Sequence, residues 1–206
     1  MNKKRIVSIL LLIALVFTAA SVGTGAEKPL PSAKIVANNL SFNDTIYLVY
    51  YVDFQDVPVS AETGVLIWKS APAAFTYDTA EEKITETIGT DIYSGAAYPL
   101  YAYRGLNAKN MTDDIYAMPY VKDGNTVTYG NKVKYSVLRY AYNKLGYTGT
   151  ATDNDDLKAL LHTMLDYGAA AQTYFKYKVD ALANSEFYLV KAVNGRLSDG
   201  TLSGLY

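Results

Sequence analysis

The sequence predicts an α+β fold: an antiparallel β-sandwich or strongly twisted sheet of about five to seven strands, with a C-terminal αα-hairpin packed on it. Three observations predict it. Short β-branched and aromatic stretches, punctuated by turn residues, fill the chain up to Tyr129; the apolar period becomes helical after Gly130; and a polar turn at 147–152 divides the helical part in two.

Ahead of these elements stands a basic cluster, Lys3, Lys4 and Arg5, then an uncharged apolar run of 12 residues from Ile6 to Phe17, then small residues up to Ala26. This pattern predicts a secretory signal peptide over 1–26 with cleavage before Glu27. The run is too short for a bilayer span of about 20 helical residues, so no retained membrane span is expected and the chain reads as secreted or cell-surface.

Three of the 19 basic residues leave with the leader, so 16 face 20 acids in the rest, a formal charge of −4. A nucleic-acid partner, which needs a basic face, is not expected. With no Cys, disulfides, thiol catalysis and thiolate metal sites are out of reach, and the core alone must stabilise the fold. All 20 Tyr fall after residue 26. Tyr favours strands and joins an apolar ring to a wet tip, so this excess serves either packing or sugar stacking.

Residues 27–185 read as a single domain. Two strands are predicted between Ser32 and Asp56, turning at Asn43-Asp44. In TIYLVYYVDF both faces are apolar enough for a central strand. Gly64 to Lys69 is a third strand and carries the only Trp, Trp68. Residues 71–96 read as a mobile surface loop with a short strand around Lys83 to Thr87. Tyr98 to Arg104 and Asp114 to Val121 are further strands, and Asp123-Gly124 turns the chain into Thr126 to Tyr129. Pro119 cannot donate to a ladder, which places that hairpin at a sheet edge or a bulge.

Val133, Val137, Tyr140, Ala141 and Leu145 recur at helical spacing, and Gly146 ends the first helix. Thr152 or Asp153 caps the second, with Asp155 and Asp156 in its first turn. Leu157, Leu161, Met164, Gly168, Ala171 and Phe175 form one stripe whose small centre admits a close backbone, expected to be the first helix or the sheet. Residues 186–206 read as a final hairpin about Asn194-Gly195, or as the truncated start of a further module.

LSFNDTIYLVYYVDF (40–54), NAKNMTDDIYAMPYV (107–121), YSVLRYAYNKL (135–145) and above all YGAAAQTYF (167–175) together resemble a domain of exported multidomain proteins from anaerobic Gram-positive gut bacteria. There it is joined to leucine-rich repeats, Ig-like repeats or cellulosome-type dockerins. The resemblance implies an extracellular accessory role and assigns no catalytic residue.

Catalytic chemistry has little to stand on. His162 with Asp166 at i+4 reads as helix-surface electrostatics before it reads as a general base. Asp53, Asp56, Asp113 and Asp114 lie near strand ends, where a glycosidase would place two facing carboxylates, but solvated turn acids are the favoured reading. Asp153 to Asp156 suits a helix cap better than calcium, since the Gly and Glu of an EF-hand loop are missing. No metal or cofactor is expected.

The ligand-binding candidates are Trp68, Tyr98, Tyr101 and Tyr103, which would stack on a sugar if they formed an exposed platform. The competing reading puts Trp68 in the core between sheet and helices. The expected function is a non-catalytic interaction or scaffold module binding a protein or cell-surface partner. A carbohydrate-binding module for plant or host glycan is the alternative, and a glycoside hydrolase-like enzyme a weaker one.

Overall fold

The computed structural model describes residues 29–42, 45–148 and 150–185. The expected leader, the Asn43-Asp44 turn and the final hairpin lie outside these residues. The described chain is α+β, with two antiparallel sheets and two helices.

Sheet A has the order β1-β2-β6-β5, formed by β1 (Ser32–Phe42), β2 (Ile46–Gln55), β5 (Gly89–Tyr93) and β6 (Ala96–Tyr103). Sheet B has the order β4-β3-β7-β8, from β3 (Glu62–Trp68), β4 (Glu82–Ile84), β7 (Ile115–Asp123) and β8 (Thr126–Tyr129). The short β9 (Val133–Tyr135) also pairs with β7. One core joins the inward residues of both sheets to the helices: Leu48, Tyr50 and Tyr103 from sheet A, Val65 and Ile67 from sheet B, and Leu161 and Leu165 from the second helix.

The β7–β8 hairpin does end sheet B, with β8 its last strand, but Pro119 itself lies in β7, which has a strand on either side. Its carbonyl accepts from Gly130 N at 2.8 Å, so its missing N–H also points towards the β8 side. That side is where β8 stops at Tyr129 and β9 has yet to start, so no ladder bond is lost there. The same gap joins the sheets. Asn131 Oδ1 accepts from Ile35 N at 2.7 Å and its Nδ2 donates to Ile35 O at 3.1 Å, which satisfies the backbone of β1 beside its bulge between Ile35 and Ala37.

Val133, expected in the first helix, belongs to β9. The helix α1 (Val137–Leu145) starts one residue after Ser136, whose side chain accepts from Arg139 N, and ends at Gly146 with φ 88°. The second helix, α2 (Asp155–Phe175), is capped by Asn154, which accepts from Leu157 N at 2.9 Å. The 153–156 acids thus surround a helix start, and Asp155 pairs with Lys158 at 2.8 Å.

Along α2 the predicted stripe is half-buried at Leu157 and buried from Leu161 through Ala171, whereas Phe175 is 61% exposed. Its small centre faces neither α1 nor a sheet. A Cβ on Gly168 would meet Met111 Sδ at 2.8 Å, Ala108 O at 3.3 Å and Ala183 Cβ at 3.3 Å, so the close neighbours are the 108–111 loop and the chain that follows α2. Gln172, fully buried one turn on, holds the chain that follows α2: Oε1 accepts from Ala183 N at 2.8 Å and Nε2 donates to Ala181 O at 3.0 Å. The GAAAQ stretch is a packing device between loops.

Candidate functional site

The four sequence candidates do not share a surface. Alternation in β3 turns Val65 and Ile67 into the shared core and Leu66 and Trp68 to the opposite face of sheet B. In β6, Tyr101 and Tyr103 point into the core, 2% and 0% exposed, while Tyr98 takes the outer face of sheet A opposite Asp91. Tyr101 and Tyr103 do share a face, as strand geometry requires, but it is the inner one.

Trp68 is 1% exposed, clustered with Leu66, Met118 and Tyr120 of sheet B and with Phe75, Tyr77 and Ala80 packed against them. The stretch expected to begin a mobile loop instead crosses the outer face of sheet B as an anchored strap, residues 70–81. Phe75 meets Trp68 edge-on, with ring centroids 5.0 Å apart, and Trp68 Nε1 donates to Thr79 Oγ1 at 3.2 Å. Tyr77 packs edge-on against Tyr120 at 5.2 Å, between Lys83 and Lys122, whose ammonium groups lie 4.7 and 4.8 Å from its ring centre.

One carboxylate pins the strap. Tyr120 OH donates to Glu62 Oε1 at 2.5 Å and Tyr77 OH to the same atom at 3.0 Å. The Tyr120 hydrogen bond leads the causes that hold the Glu62 carboxyl below its usual value, against a smaller opposing effect of burial. A depressed folded value means that this contribution is present at neutral pH and is lost as pH falls through it, below the ordinary Glu value of about 4.3. Acidification below about pH 4 is therefore expected to redden Trp68 fluorescence before the fold melts. In Glu62→Gln that acid step should vanish; an unchanged step in the variant would remove Glu62 as its origin.

The candidate carboxylates are dispersed into structural roles. Asp113 is buried and accepts from Asn110 Nδ2 at 2.6 Å, Tyr177 OH at 2.7 Å and Lys178 Nζ at 2.7 Å, which ties the 108–113 loop to the segment after α2. Asp114 pairs with Lys134 at 2.8 Å, Asp53 accepts from Gln55 at 2.6 Å, and Asp56 occupies a left-handed turn position with φ 54°. Asp166, the expected partner of His162, accepts from Asn184 Nδ2 at 2.7 Å. Among the described residues no group of three or more His, Asp or Glu side chains could hold a metal ion, and no helix is long and apolar enough to cross a membrane.

The outer face of sheet A differs from that of sheet B. Tyr47, Val49 and Ala102 form a buried apolar patch there whose described apolar neighbours are Tyr51 and Leu100. Two depressions open along it, about 300 and 210 Å³ in volume, and they share Asn39 and Tyr51. The larger reaches Val49, Ile88 and Leu100; the smaller runs past Tyr93 to Tyr135 on β9 and Asn143 on α1. Together they form a trough from the sheet to the end of the first helix.

Its floor is held in place. Tyr51 OH donates to Asp91 Oδ2 at 2.9 Å, Asp91 Oδ1 accepts from Ile92 N at 2.8 Å, and the Tyr51 and Tyr93 rings lie 5.9 Å apart at 54°. Burial, aided by Asp91, raises the Tyr51 hydroxyl above its usual value, and burial pushes Tyr135 up to about 12. Both stay neutral at any physiological pH, Tyr51 with its hydrogen on Asp91.

Sequence reasoning passed over this trough. Tyr51 and Tyr93 come from β2 and β5, which are not adjacent in sheet A, and only the surplus of Tyr hinted at such a meeting. No protein-family model, curated protein or solved structure matches the chain.

Proposed function

We propose that the chain is an exported, non-catalytic interaction module that holds an extracellular partner in the trough on sheet A. The two sheets form an antiparallel sandwich on which α1 and α2 pack as an αα-hairpin, and the sandwich presents the trough to the surroundings. The resemblance to accessory domains of exported multidomain proteins from anaerobic Gram-positive gut bacteria agrees with this role.

The reading rests on the concavity beside Tyr51 and Tyr93 on sheet A. On sheet B the outward rings are sealed by the strap and its Glu62 pin, which is how a fold handles apolar surface that it does not use. On sheet A, Tyr51 and Tyr93 line a concavity with amides around them, and Tyr93 is 45% exposed. Concave surface with aromatic walls and a few placed polar groups is the usual form of a binding site. The lining side chains bring hydroxyls, amides and one ammonium, groups that bind and orient a ligand.

Retention on insoluble extracellular materials tests the reading: isolated bacterial cell walls, plant fibre and mucin, incubated with the chain purified after export. Retention on one of them is expected, lost in Tyr93→Ala and kept in Tyr174→Ala, whose ring is exposed on α2 away from the trough. Equal retention of both variants, or no retention of the parent chain, overturns it.

A further inference from the structure

Resting on that reading, we infer that the trough takes a neutral oligosaccharide, with Tyr51 and Tyr93 stacking on sugar rings and Asn38, Asn39 and Asn143 bonding their hydroxyls. Shape is the first argument. Depressions of about 210 and 300 Å³ hold about seven and ten waters' worth of volume, a size suited to one ring-sized unit each. They are joined through Tyr51 and Asn39, so consecutive units of one chain can occupy both.

The lining chemistry fits the same ligand. A pyranose has an apolar C–H face and a rim of hydroxyls that both donate and accept. A Tyr ring offers an apolar face with a polar tip; the Asn38 and Asn143 amides each offer donors and an acceptor at one point, which matches vicinal hydroxyls, and Asn39, whose Oδ1 accepts from Leu40 N at 2.9 Å, offers its amide N–H side. Because Asp91 already holds the Tyr51 hydroxyl, that ring needs little further ordering on binding, which lowers the entropic cost.

Charge narrows the class. Lys144, 5.8 Å from the Tyr140 ring centre, is the sole charged side chain among the described lining residues of the two depressions. Asp91 is bound to Tyr51, and the Arg104 guanidinium lies 4.2 Å from the ring centre of Tyr47, which lines the larger depression. An acidic polymer would meet two separated cations rather than a basic cluster, and a basic one no carboxylate in the lining. A peptide anchored by large side chains would want a deep apolar pocket, as interface hot spots do.

Affinity electrophoresis of the exported chain through gels containing xyloglucan, galactomannan, mixed-linkage β-glucan or pullulan, with polygalacturonate as the charged comparison, tests this. Retardation by a neutral polysaccharide is expected, weakened about tenfold by Tyr93→Ala and by Asn143→Ala at unchanged melting temperature, since both residues are exposed. Tyr93→Phe should keep most of the retardation, because the stacking face survives. Retardation by a neutral glycan that neither alanine variant alters would overturn the inference by placing the sugar elsewhere. So would retardation by polygalacturonate alone. If no gel retards the chain while Tyr93→Ala still releases it from an insoluble material, the ligand is not a neutral glycan and the interaction reading survives; if Tyr93→Ala changes neither measurement, both fall.

Discussion

Gln172→Leu is expected to lower stability by about 2–4 kcal/mol, although leucine nearly matches glutamine in volume. The amide serves four groups in a site without exposure: it accepts from Ala183 N at 2.8 Å and donates to Ala181 O at 3.0 Å, with longer contacts to Thr112 Oγ1 at 3.4 Å and Lys178 O at 3.5 Å. Leucine leaves the Ala183 N–H and the Ala181 carbonyl without a partner, and each buried unsatisfied group costs about 1–3 kcal/mol. For a chain of this size the melting temperature should fall by about 10 °C in a circular-dichroism melt. Trypsin should also cut faster after Lys176 and Lys178, because the segment that they begin has lost its tie to α2. A melting temperature within about 1 °C of the parent would mean that packing of Gly168 and Ala169 alone holds that segment.

Gly130→Ala is the second large effect, from close approach rather than hydrogen bonding. A Cβ there would stand 2.0 Å from Ala33 O and 2.7 Å from Pro119 Cγ. Backbone cannot yield as a flexible side-chain end can, and β1 is held at the next turn of the ladder by the Asn131 amide on Ile35. Relief requires parting β1 from the β8–β9 gap, so a cost of about 3 kcal/mol is expected, the upper part of the usual range for overpacking. Gly124→Ala is the control: its φ of 58° strains alanine, yet nothing lies within 4 Å, and about 1 kcal/mol is expected. Equal losses in urea melts of the two variants would show that backbone conformation, not contact with β1, sets the requirement for glycine at 130.

Several elements were legible because their signal is local. TIYLVYYVDF has the alternation of a strand apolar on both faces, and β2 is a central strand of sheet A running from Ile46 to Gln55. Gly146 and the acids at 155–156 mark helix ends through caps that need only their immediate neighbours. The small centre of α2 is readable as a site of close packing from the stripe's spacing together with Gly168 and Ala171 at its middle.

What covers what was not readable, since cover comes from segments with no period. Phe75, Tyr77 and Thr79 sit in a stretch of Ala, Pro and Thr that looks like an open loop, and their contacts with sheet B make it a strap. The neighbours of Gly168 are loop residues, Ala108, Met111 and Ala183, so no pattern pointed to them. Trp68 was the conspicuous ring, and a lone large ring mostly fills space, as it does here. The trough depends on Tyr51 reaching Asp91 and Tyr93 across the twist of sheet A, a meeting of residues about 40 positions apart that alternation along any one strand does not encode.

Hydroxyl-radical footprinting of the chain, free and adsorbed to whichever extracellular material retains it, locates the contact whatever the chemistry of the ligand. Protection of Tyr93 and Asn143 peptides, with Tyr174 and Phe175 as reactive as in free solution, is the expected result. Protection confined to the exposed side of α2 around Leu160, Tyr167 and Tyr174, with Tyr93 unchanged, would contradict a binding site on sheet A.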